Sequence, residues 1–331
     1  MLATTLAHGH DRSRGGWSRA RRWASDLLCA ACLAAAPVPP VLAQAATVPP
    51  AVEPEPDAGY ALPTRMDRIG RVLVPVMVNG QGPFRFILDT GANRSVLSME
   101  LAELLHLEPS SEHPIGVQGV TGSAVLPAVG IETLRAGELV LARNQRVPVL
   151  SRAVLSNADG ILGIDGLTRA HIDVDFGEDR VTISQSRGRR AASGMLTIPV
   201  KVAYGGLLTA RATVGGQRVI AIIDTGAERS LGNLALREAL KLAPRPTGET
   251  GTTTVLGATP ELGEGTSLRV PVVRIGAAEL RGLEVTFGDL HVFRIWNLED
   301  EPALLIGMDL LGTVQRLVID YRRREILIKP N

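Results

Sequence analysis

The sequence predicts an all-β fold built from two similar lobes. Aromatic residues make up only 3% of the 331 residues, whereas Gly (35) and Pro (21) are abundant, so Val, Ile and Leu must fill a core of strands joined by turns. The second observation is an internal repeat: the segment Asp89–Ser95 returns as Asp224–Ser230, and only the fifth residue differs. A period of this length corresponds to a small domain and is too long for a solenoid repeat.

Residues 1–43 have the pattern of a secretory signal peptide. Arginines between Arg12 and Arg22 precede the apolar stretch Leu27–Ala36, and Val41-Leu42-Ala43 offers a small-residue cleavage site. The apolar stretch is too short to span a bilayer. We therefore predict a removable signal and a periplasmic or secreted protein, with a signal anchor as the alternative.

The chain after the leader has no cysteine and little net charge. Both cysteines, Cys29 and Cys32, lie in the leader, so the mature chain holds its fold without disulfides and has no cysteine nucleophile. The leader contains five of the 35 basic and two of the 34 acidic residues, so its removal changes the formal net charge from +1 to −2. This balance indicates neither a nucleic-acid partner nor a strong attraction to membrane surfaces.

Residues 44–65 are rich in Pro and Ala and are predicted to form a flexible tether. The first lobe is predicted to follow at residues 66–186. The alternating stretch Arg71–Val78 predicts a strand, and Asn79-Gly80 predicts a hairpin turn after it. The apolar run Phe86–Leu88 then ends in Asp-Thr-Gly, which is the pattern of a buried strand that delivers a carboxylate into a tight turn.

The later elements of the first lobe return in the same order in residues 195–331, after an arginine-rich linker at 187–194. The paired segments are a short helix (Met99–Leu105 and Leu234–Leu242), a Gly-rich segment (Gly116–Gly122 and Thr250–Gly257) and a closing strand pair (His171–Ile183 and Leu317–Ile328). We therefore expect two lobes of six to seven strands each, related by a pseudo-two-fold axis. The cleft between them should contain two copies of every feature.

The repeated motifs resemble those of a known family. An apolar strand ending in Asp-Thr-Gly-Ala, followed in each lobe by an aliphatic-Gly-aliphatic-Asp segment (Leu162–Asp165 and Ile306–Asp309), resembles the aspartic proteases, and the alanine resembles the retropepsin-like branch. The likeness covers nearly all of Met66–Pro330. Retropepsins are usually homodimers of one-lobe chains, whereas this chain carries both lobes, as pepsins do. The resemblance therefore implies a bilobal aspartic-protease fold that works as a monomer, with the active site between the lobes.

The resemblance implies that Asp89 and Asp224 form a catalytic dyad. Two adjacent carboxyl groups share one proton because both cannot ionise cheaply. The ionised member would activate a water as general base, and the protonated member would polarise the scissile carbonyl. This chemistry needs no cofactor and no metal. The residues expected to support the dyad are Thr90, Gly91, Thr225 and Gly226, the threonines by bonding across the pseudo-two-fold axis and the glycines by admitting backbone N–H groups to the carboxylates.

Other residues set the expected working conditions and the substrate. Ala92 and Ala227 give the dyad no hydroxyl donor, so we expect raised pKa values and activity at mildly acidic to neutral pH. The Gly-rich segments are predicted to be flaps that close over an extended peptide, with ordinary surface hairpins as the alternative. The flap residues predicted to bind the substrate are Gly119, Val120, Thr121, Thr253, Thr254 and Val255.

The sequence thus predicts an exported aspartic endopeptidase that acts on peptides or proteins in extended conformation. One alternative is a non-catalytic pseudoprotease that binds peptides on the same scaffold, and another is an assembly protein whose lobes are purely structural. Both aspartates, both threonines and both glycines are present, which favours catalysis. Gly163 and Gly307 occupy the same position in the two copies of the repeat, and each is followed two residues later by Asp165 or Asp309. We expect these two aspartates to bind the backbone of the neighbouring loops.

Overall fold

The computed structural model describes residues 60–63, 65–66, 70–137, 139–188, 194–242 and 252–331. The predicted signal peptide, most of the predicted tether, and Thr250 and Gly251 of the second predicted flap lie outside these ranges. Within the described part of the chain, no helix is long and apolar enough to cross a bilayer.

The first half of the described chain is almost entirely strands. In chain order its elements are β1 (Tyr60–Pro63), β2 (Arg65–Met66), β3 (Val72–Val78), β4 (Gln81–Leu88), β5 (Val96–Ser98), α1 (Met99–Leu104), β6 (Ser110–Gln118), β7 (Ser123–Ala136), β8 (Leu139–Leu150), β9 (Gly160–Leu162), a 3₁₀ turn (Ile164–Gly166), β10 (Ala170–Asp175) and β11 (Arg180–Gln185).

The second half repeats this order. Its elements are β12 (Leu196–Pro199), β13 (Lys201–Ala203), β14 (Leu207–Val214), β15 (Gln217–Ile223), β16 (Leu231–Gly232), α2 (Leu234–Ala239), β17 (Thr252–Leu256), β18 (Leu262–Arg269), β19 (Val273–Ile275), β20 (Ala278–Leu280), β21 (Glu284–Phe287), α3 (His291–Ile295), β22 (Ala303–Ile306), α4 (Met308–Leu311), β23 (Arg316–Asp320) and β24 (Glu325–Lys329).

The first lobe is a sheet that closes on itself. Its strand order is β2-β3-β4-β9-β5-β8-β7-β6, and an additional pairing of β3 with β7 completes the closure. Asn79 and Gly80 join β3 to β4 with positive φ angles of 49° and 75°, which is the turn that the Asn-Gly pair predicts. Helix α1 begins where predicted because the side chain of Ser98 accepts a hydrogen bond from the N–H of Leu101.

The second lobe has the same arrangement with interrupted strands. The long strand β7 is represented by β18 and β19, which are separated by a segment that contains Pro271, and proline cannot donate to a strand ladder. β18 pairs with β21, whereas β19 pairs with β14, so the two pieces lie near opposite ends of the strand order of the sheet. Helix α2 begins at the cap Asn233, whose side chain accepts from the N–H of Leu236.

A third sheet joins the lobes. Its order is β1-β11-β10-β23-β24-β12, so each half of the chain contributes three strands, and β10 pairs with β23 at the centre. The sheets of the two lobes have eight and ten strands, more than the predicted six to seven, because short strands such as β2 and β13 are added and the counterpart of β7 is divided into β18 and β19. The closing strand pair of each lobe lies in the shared sheet instead. The predicted tether also extends too far, since Tyr60–Pro63 forms β1 on the edge of this sheet against β11.

Both lobes and the shared sheet belong to one compact unit of the chain. One cluster of buried side chains runs through all three parts and includes Phe86, Ile172, Ile222, Phe287 and Ile319. The core is mainly aliphatic, as the low aromatic content predicts. Continuous packing of this kind fixes the two lobes relative to each other, which any site made from both lobes requires.

Candidate active site

Each of the two aspartates lies where a buried strand ends. Asp89 follows β4 and its N–H donates to the carbonyl of Leu162 at 3.1 Å, while Asp224 follows β15 and its N–H donates to the carbonyl of Ile306 at 3.0 Å. In the first lobe β9 lies between β4 and β5, so the loop from Asp89 to Ser95 must cross the end of β9. The second lobe has the same crossing over the end of β22, which lies between β15 and β16.

The loop crossing explains the glycine that follows each of the crossed strands. A Cβ atom on Gly163 would lie 2.4 Å from the carbonyl carbon of Arg94, and one on Gly307 would lie 2.8 Å from that of Arg229. No side chain fits at such distances, so these positions require glycine for close approach of two backbones. The two glycines thus allow close packing of the Asp-Thr-Gly loops against the strands that they cross.

An acidic residue in each lobe holds the end of the crossing loop. Asp165 accepts hydrogen bonds from the backbone N–H (3.0 Å) and the hydroxyl (2.8 Å) of Ser95. Asp309 accepts the same two bonds from Ser230, at 2.9 Å and 2.7 Å. The serine hydroxyls in turn accept from the N–H groups of Gly163 and Gly307, each at 3.1 Å. These two carboxylates hold loop backbone, as their position in the sequence predicts.

The two threonines cross-link the loops symmetrically. The N–H of Thr90 donates to the hydroxyl of Thr225, and the N–H of Thr225 donates to the hydroxyl of Thr90, both at 3.1 Å. Each hydroxyl then donates across the axis to a carbonyl, Thr90 to Ile223 (2.8 Å) and Thr225 to Leu88 (2.7 Å). Both threonines are fully buried, so every polar atom in this set is satisfied by the other lobe.

The two carboxyl groups face each other between the loops. A Cβ atom on Gly91 would lie 2.3 Å from the carboxyl carbon of Asp224, and one on Gly226 would lie 2.2 Å from that of Asp89. The N–H groups of Gly91 and Gly226 donate to the carboxylate of their own loop, at 2.8 Å and 2.9 Å. The two side chains are also close enough to hydrogen-bond each other. Any residue larger than glycine at these two positions would displace the opposite carboxylate.

The environments of the two carboxyl groups differ. Asp224 is buried and Asp89 is half-buried. Burial, and then the nearby charge of Asp89, raise the pKa of Asp224 to about 8. The hydrogen bond from the N–H of Gly226 acts in the opposite direction, because it stabilises the charged form. The pair therefore retains a proton at neutral pH, and the burial of Asp224 favours this member as its site.

A tyrosine of the shared sheet lies near the dyad. The Tyr321 hydroxyl is buried and has no hydrogen-bond partner among the described residues. Its burial, and then the charge of Asp89, raise the pKa of Tyr321. The residue in the corresponding position of the first lobe is Phe176, which has no hydroxyl.

The first predicted flap contacts the second lobe. Val120 lies at the tip of the β6–β7 hairpin, and its carbonyl accepts from the N–H of Val292 at 3.1 Å. Next to it, the side chain of Gln118 bonds the ring of His291 at 2.8 Å, and the hydroxyls of Thr121 and Thr259 are 3.3 Å apart. The segment 118–121 therefore rests on helix α3 and on the β17–β18 hairpin.

The second predicted flap residues occupy a different part of their hairpin. Thr253, Thr254 and Val255 lie along β17, and Val255 is buried. Residues 257–261 form the tip of the β17–β18 hairpin. A Cβ atom on Gly257 would meet Thr121 of the first flap, and a Cβ atom on Gly122 of the first flap would meet Glu261. The two hairpins therefore meet tip to tip, through predicted residues such as Thr121 on the first hairpin and through residues 257–261, beyond the predicted ones, on the second.

Sequence reasoning did not identify Asn93. Its amide donates to the carbonyls of Tyr204 (3.1 Å) and Gly205 (2.6 Å), in the turn between β13 and β14 of the second lobe. The residue in the corresponding position of the second motif, Glu228, is exposed. The signal was available, because this is the one position at which the two motifs differ. The contact of His291 with Gln118 had no comparable signal, because the described part of the first lobe contains no helix that corresponds to α3.

The described residues contain no group of three or more His, Cys, Asp or Glu side chains that could hold a metal ion. The side chains that the repeated motifs bring together are the two carboxyl groups and the two threonine hydroxyls. This arrangement provides one acid, one base and a rigid frame for both. Such a set can activate a water and polarise a carbonyl in one step.

Two comparisons bear on this site. A family model described as aspartyl protease matches residues 74–166 and 210–310, which together make up more than half of the chain. Each matched region contains one Asp-Thr-Gly loop and its supporting glycine. A search of the curated proteins found no match to the chain.

Proposed function

The chain belongs to the aspartyl protease family, and from this premise we propose that it is an exported endopeptidase that hydrolyses peptide bonds with water activated by Asp89 and Asp224. The observation that carries the proposal is the meeting of the two loops, in which the glycine of each loop lies against the carboxylate of the other. One chain supplies both carboxylates, so the enzyme works as a monomer. The substrate is a peptide or protein segment in extended conformation.

In the proposed reaction the pair starts with one proton, on Asp224. Asp89 takes a proton from a water, and the water oxygen attacks the scissile carbonyl carbon. Asp224 donates its proton to the carbonyl oxygen as the tetrahedral intermediate forms. Collapse of the intermediate breaks the C–N bond: the leaving nitrogen receives the proton held by Asp89, and a hydroxyl proton of the intermediate returns to Asp224, which restores the starting state of the pair. No covalent bond to the protein is required.

The frame around the pair supports this proposal. The cross-linked threonines hold both loops without solvent-exposed partners, which limits the movement of the carboxylates. The first flap bonds helix α3 of the second lobe and meets the second flap at its tip, so both hairpins can cover a bound peptide and exclude water.

The proposal is tested by incubating the protein with a mixed peptide library from pH 3 to pH 8 and identifying the product ends. The same assay is run on Asp89→Asn and Asp224→Asn, with Asp300→Asn as control because Asp300 is exposed and outside both motifs. We expect each dyad variant to lose activity by about 10²–10⁴-fold, since each removes the acid or the base. The Asp300→Asn protein should cleave like the wild type.

Other outcomes would favour the alternatives. A folded wild-type protein that cleaves nothing but binds a statine-type transition-state mimic would be a peptide-binding pseudoprotease. A protein that neither cleaves nor binds the mimic would favour a purely structural role. Activity that survives either dyad substitution would mean that the two aspartates do not share one site.

The export part of the proposal rests on the leader. Its arginine-containing region, apolar stretch and Val41-Leu42-Ala43 site have the order that a signal peptidase reads. N-terminal sequencing of the protein recovered from cells should give a chain that begins at Gln44. Recovery of a chain that begins at Met1 would mean that the leader is retained as an anchor.

A further inference from the structure

The repeat-related turns of the shared sheet carry opposite charges. The turn between β10 and β11 is Phe176–Asp179 and contains two acidic residues, whereas the corresponding turn between β23 and β24 is Tyr321–Arg324 and contains three arginines. β10 and β23 are antiparallel, with His171 opposite Asp320 and Asp175 opposite Arg316, so the two turns lie at opposite ends of the sheet. The shared sheet therefore has one acidic turn and one basic turn.

Further cations gather around the basic turn. The carbonyl of Arg324 accepts from the N–H of Val200, which places Lys201 beside the turn. The carbonyl of Ser186 accepts from the side chain of Arg322. The N–H of Ser186 donates to the carbonyl of Arg169, which places Arg169 there as well. We call this set the basic end; it consists of Arg169, Lys201, Arg322, Arg323 and Arg324, all of them exposed.

Few acidic groups balance the basic end. Among the described residues that these contacts bring together, the carboxylates are Asp320 and Glu325. Asp320 is buried and bonded to Ser186 and His171, and Glu325 pairs with Arg323. Five cations against two carboxylates leave a local charge of +3. At the other end of the sheet the charges pair among themselves, Arg180 with Glu178 and Arg316 with Asp173.

The basic end is also the end at which the described chain begins. β1 starts at Tyr60 opposite Ile183, near the end of β11, and runs from there to Pro63 opposite Arg180. Val202, next to Lys201, is a large apolar side chain with 46% of its surface exposed at the same place.

From this geometry we propose that the basic end docks on the surface of a bilayer that contains anionic phospholipid, and so presents the shared sheet end-on to the membrane. The headgroup phosphates would pair with the arginines and with Lys201, and Val202 would contact the acyl boundary. Each such cation strengthens partitioning onto an anionic surface by about fivefold. The net charge of the mature chain is −2 and does not reveal this positively charged surface, because most acidic residues lie elsewhere.

The test measures binding of the full-length protein to sedimented vesicles of phosphatidylglycerol with phosphatidylcholine, and to vesicles of phosphatidylcholine alone. The variant Lys201→Gln/Arg324→Gln removes two cations from the basic end. The matched control Arg180→Gln/Lys329→Gln removes one arginine and one lysine, both exposed, from the opposite end. All forms carry the same leader, so its five arginines contribute equally to each form and cancel when the variants are compared with the wild type.

We expect the wild type to bind the anionic vesicles more tightly than the neutral ones, and the preference to shrink in 0.5 M salt because of screening. The basic-end variant should lose about 25-fold of this preference, at about fivefold per cation, while the control should stay within about twofold of the wild type. Thermal unfolding of both variants checks that they are folded. The measurement does not depend on proteolytic activity.

Three results would overturn the proposal. The wild type could show no preference for anionic vesicles. Both double variants could lose the preference equally, which would mean that overall charge and not the basic end is responsible. The wild type could bind soluble polyglutamate through the basic end and ignore anionic vesicles, which would identify an acidic polypeptide as the partner instead.

Discussion

At the scale of single residues, the site depends on two threonine hydroxyls, each of which accepts one hydrogen bond and donates another across the axis. The Thr90 hydroxyl accepts from the N–H of Thr225 and donates to the carbonyl of Ile223, and no water reaches either residue because both threonines are fully buried. A buried donor that loses its partner destabilises the fold by more than the net value of the bond. The threonines therefore link stability and loop position.

Thr90→Val, which keeps the shape of the side chain and removes the hydroxyl, should lower the free energy of unfolding by about 1–3 kcal/mol. It should also lower kcat, because small displacements of a catalytic loop reduce rates by up to about 10²-fold. Thr90→Ser keeps the hydroxyl and should retain most of both. Denaturant unfolding and peptide cleavage would measure the two effects, and equal losses in Val and Ser variants would contradict the role given to the hydroxyl.

The raised pKa of Asp224 predicts how stability and activity depend on pH. A carboxyl group whose pKa rises from 3.8 when unfolded to about 8 when folded contributes stability that is fully present below pH 4 and is lost as the pH rises through 8. Asp224→Asn carries no such group. Relative to this variant, the wild type should lose on the order of a few kcal/mol between pH 4 and pH 9.

Denaturant unfolding of the wild type and of Asp224→Asn between pH 4 and pH 9 measures the difference in unfolding free energy between them. A difference that does not change with pH would show that Asp224 is not the group that holds the proton. Activity should follow the same titration, since the reaction needs the proton on Asp224. We expect cleavage to persist at neutral pH and to fall above about pH 8.

At the scale of elements, the two flaps differ in how they are held. The first flap is anchored on α3, through Val120 to Val292 and Gln118 to His291. Among the residues that the structure describes in the first lobe, no such helix supports the second flap. A bond between half-buried side chains contributes about 0.5–1.5 kcal/mol. The first flap thus depends on the second lobe for its position.

His291→Ala should loosen the first flap without unfolding the lobe. We expect the amides of residues 118–122 to exchange hydrogen about 2- to 10-fold faster, in proportion to the lost bond. Arg294→Ala is the matched control, because Arg294 lies on the same helix and pairs with exposed Asp289 instead of the flap. Faster exchange at the flap in the control as well would mean that α3 has become unstable as a whole.

At the scale of the whole molecule, the lobes are joined by the shared sheet, by the threonines, by the contacts of the first flap and by Asn93. Asn93 ties the first catalytic loop to the Tyr204 turn of the second lobe, and Tyr204 in turn packs on Trp296 with ring centroids 5.6 Å apart. Glu228, its counterpart, is exposed at 44% of its side chain and lies 3.9 Å from Arg229 of its own loop. The two halves of the dyad are therefore positioned differently.

Asn93→Ala should lower kcat by about tenfold with little change in KM, because it releases one loop and leaves the cleft intact. The cost in unfolding free energy should be about 1 kcal/mol. Glu228→Ala, at the repeat-related position, should leave both quantities near those of the wild type. Equal effects of the two substitutions would mean that the fifth position of the motif is equivalent in both lobes.

The sequence by itself determined the features that depend on local pattern and on the repeat. The alternation of apolar residues, the Asn-Gly turn, the capped helices after each loop and the Asp-Thr-Gly motifs report local structure, and the 135-residue repeat doubles each of them. The all-β fold of two lobes follows from these, and so do the positions of Asp89 and Asp224 at the ends of buried strands.

Only the tertiary structure decided how the two copies meet. The merging of both closing strand pairs into one sheet, the tip-to-tip contact of the flaps beyond Val255, the contact of Asn93 with the Tyr204 turn and the collection of cations at the basic end join residues that are far apart in the chain. Local periodicity states which face of a strand is buried, but it contains no information about which distant strand or turn will cover that face. Two copies of one pattern therefore predict symmetry, and the packing between the copies decides where that symmetry is broken.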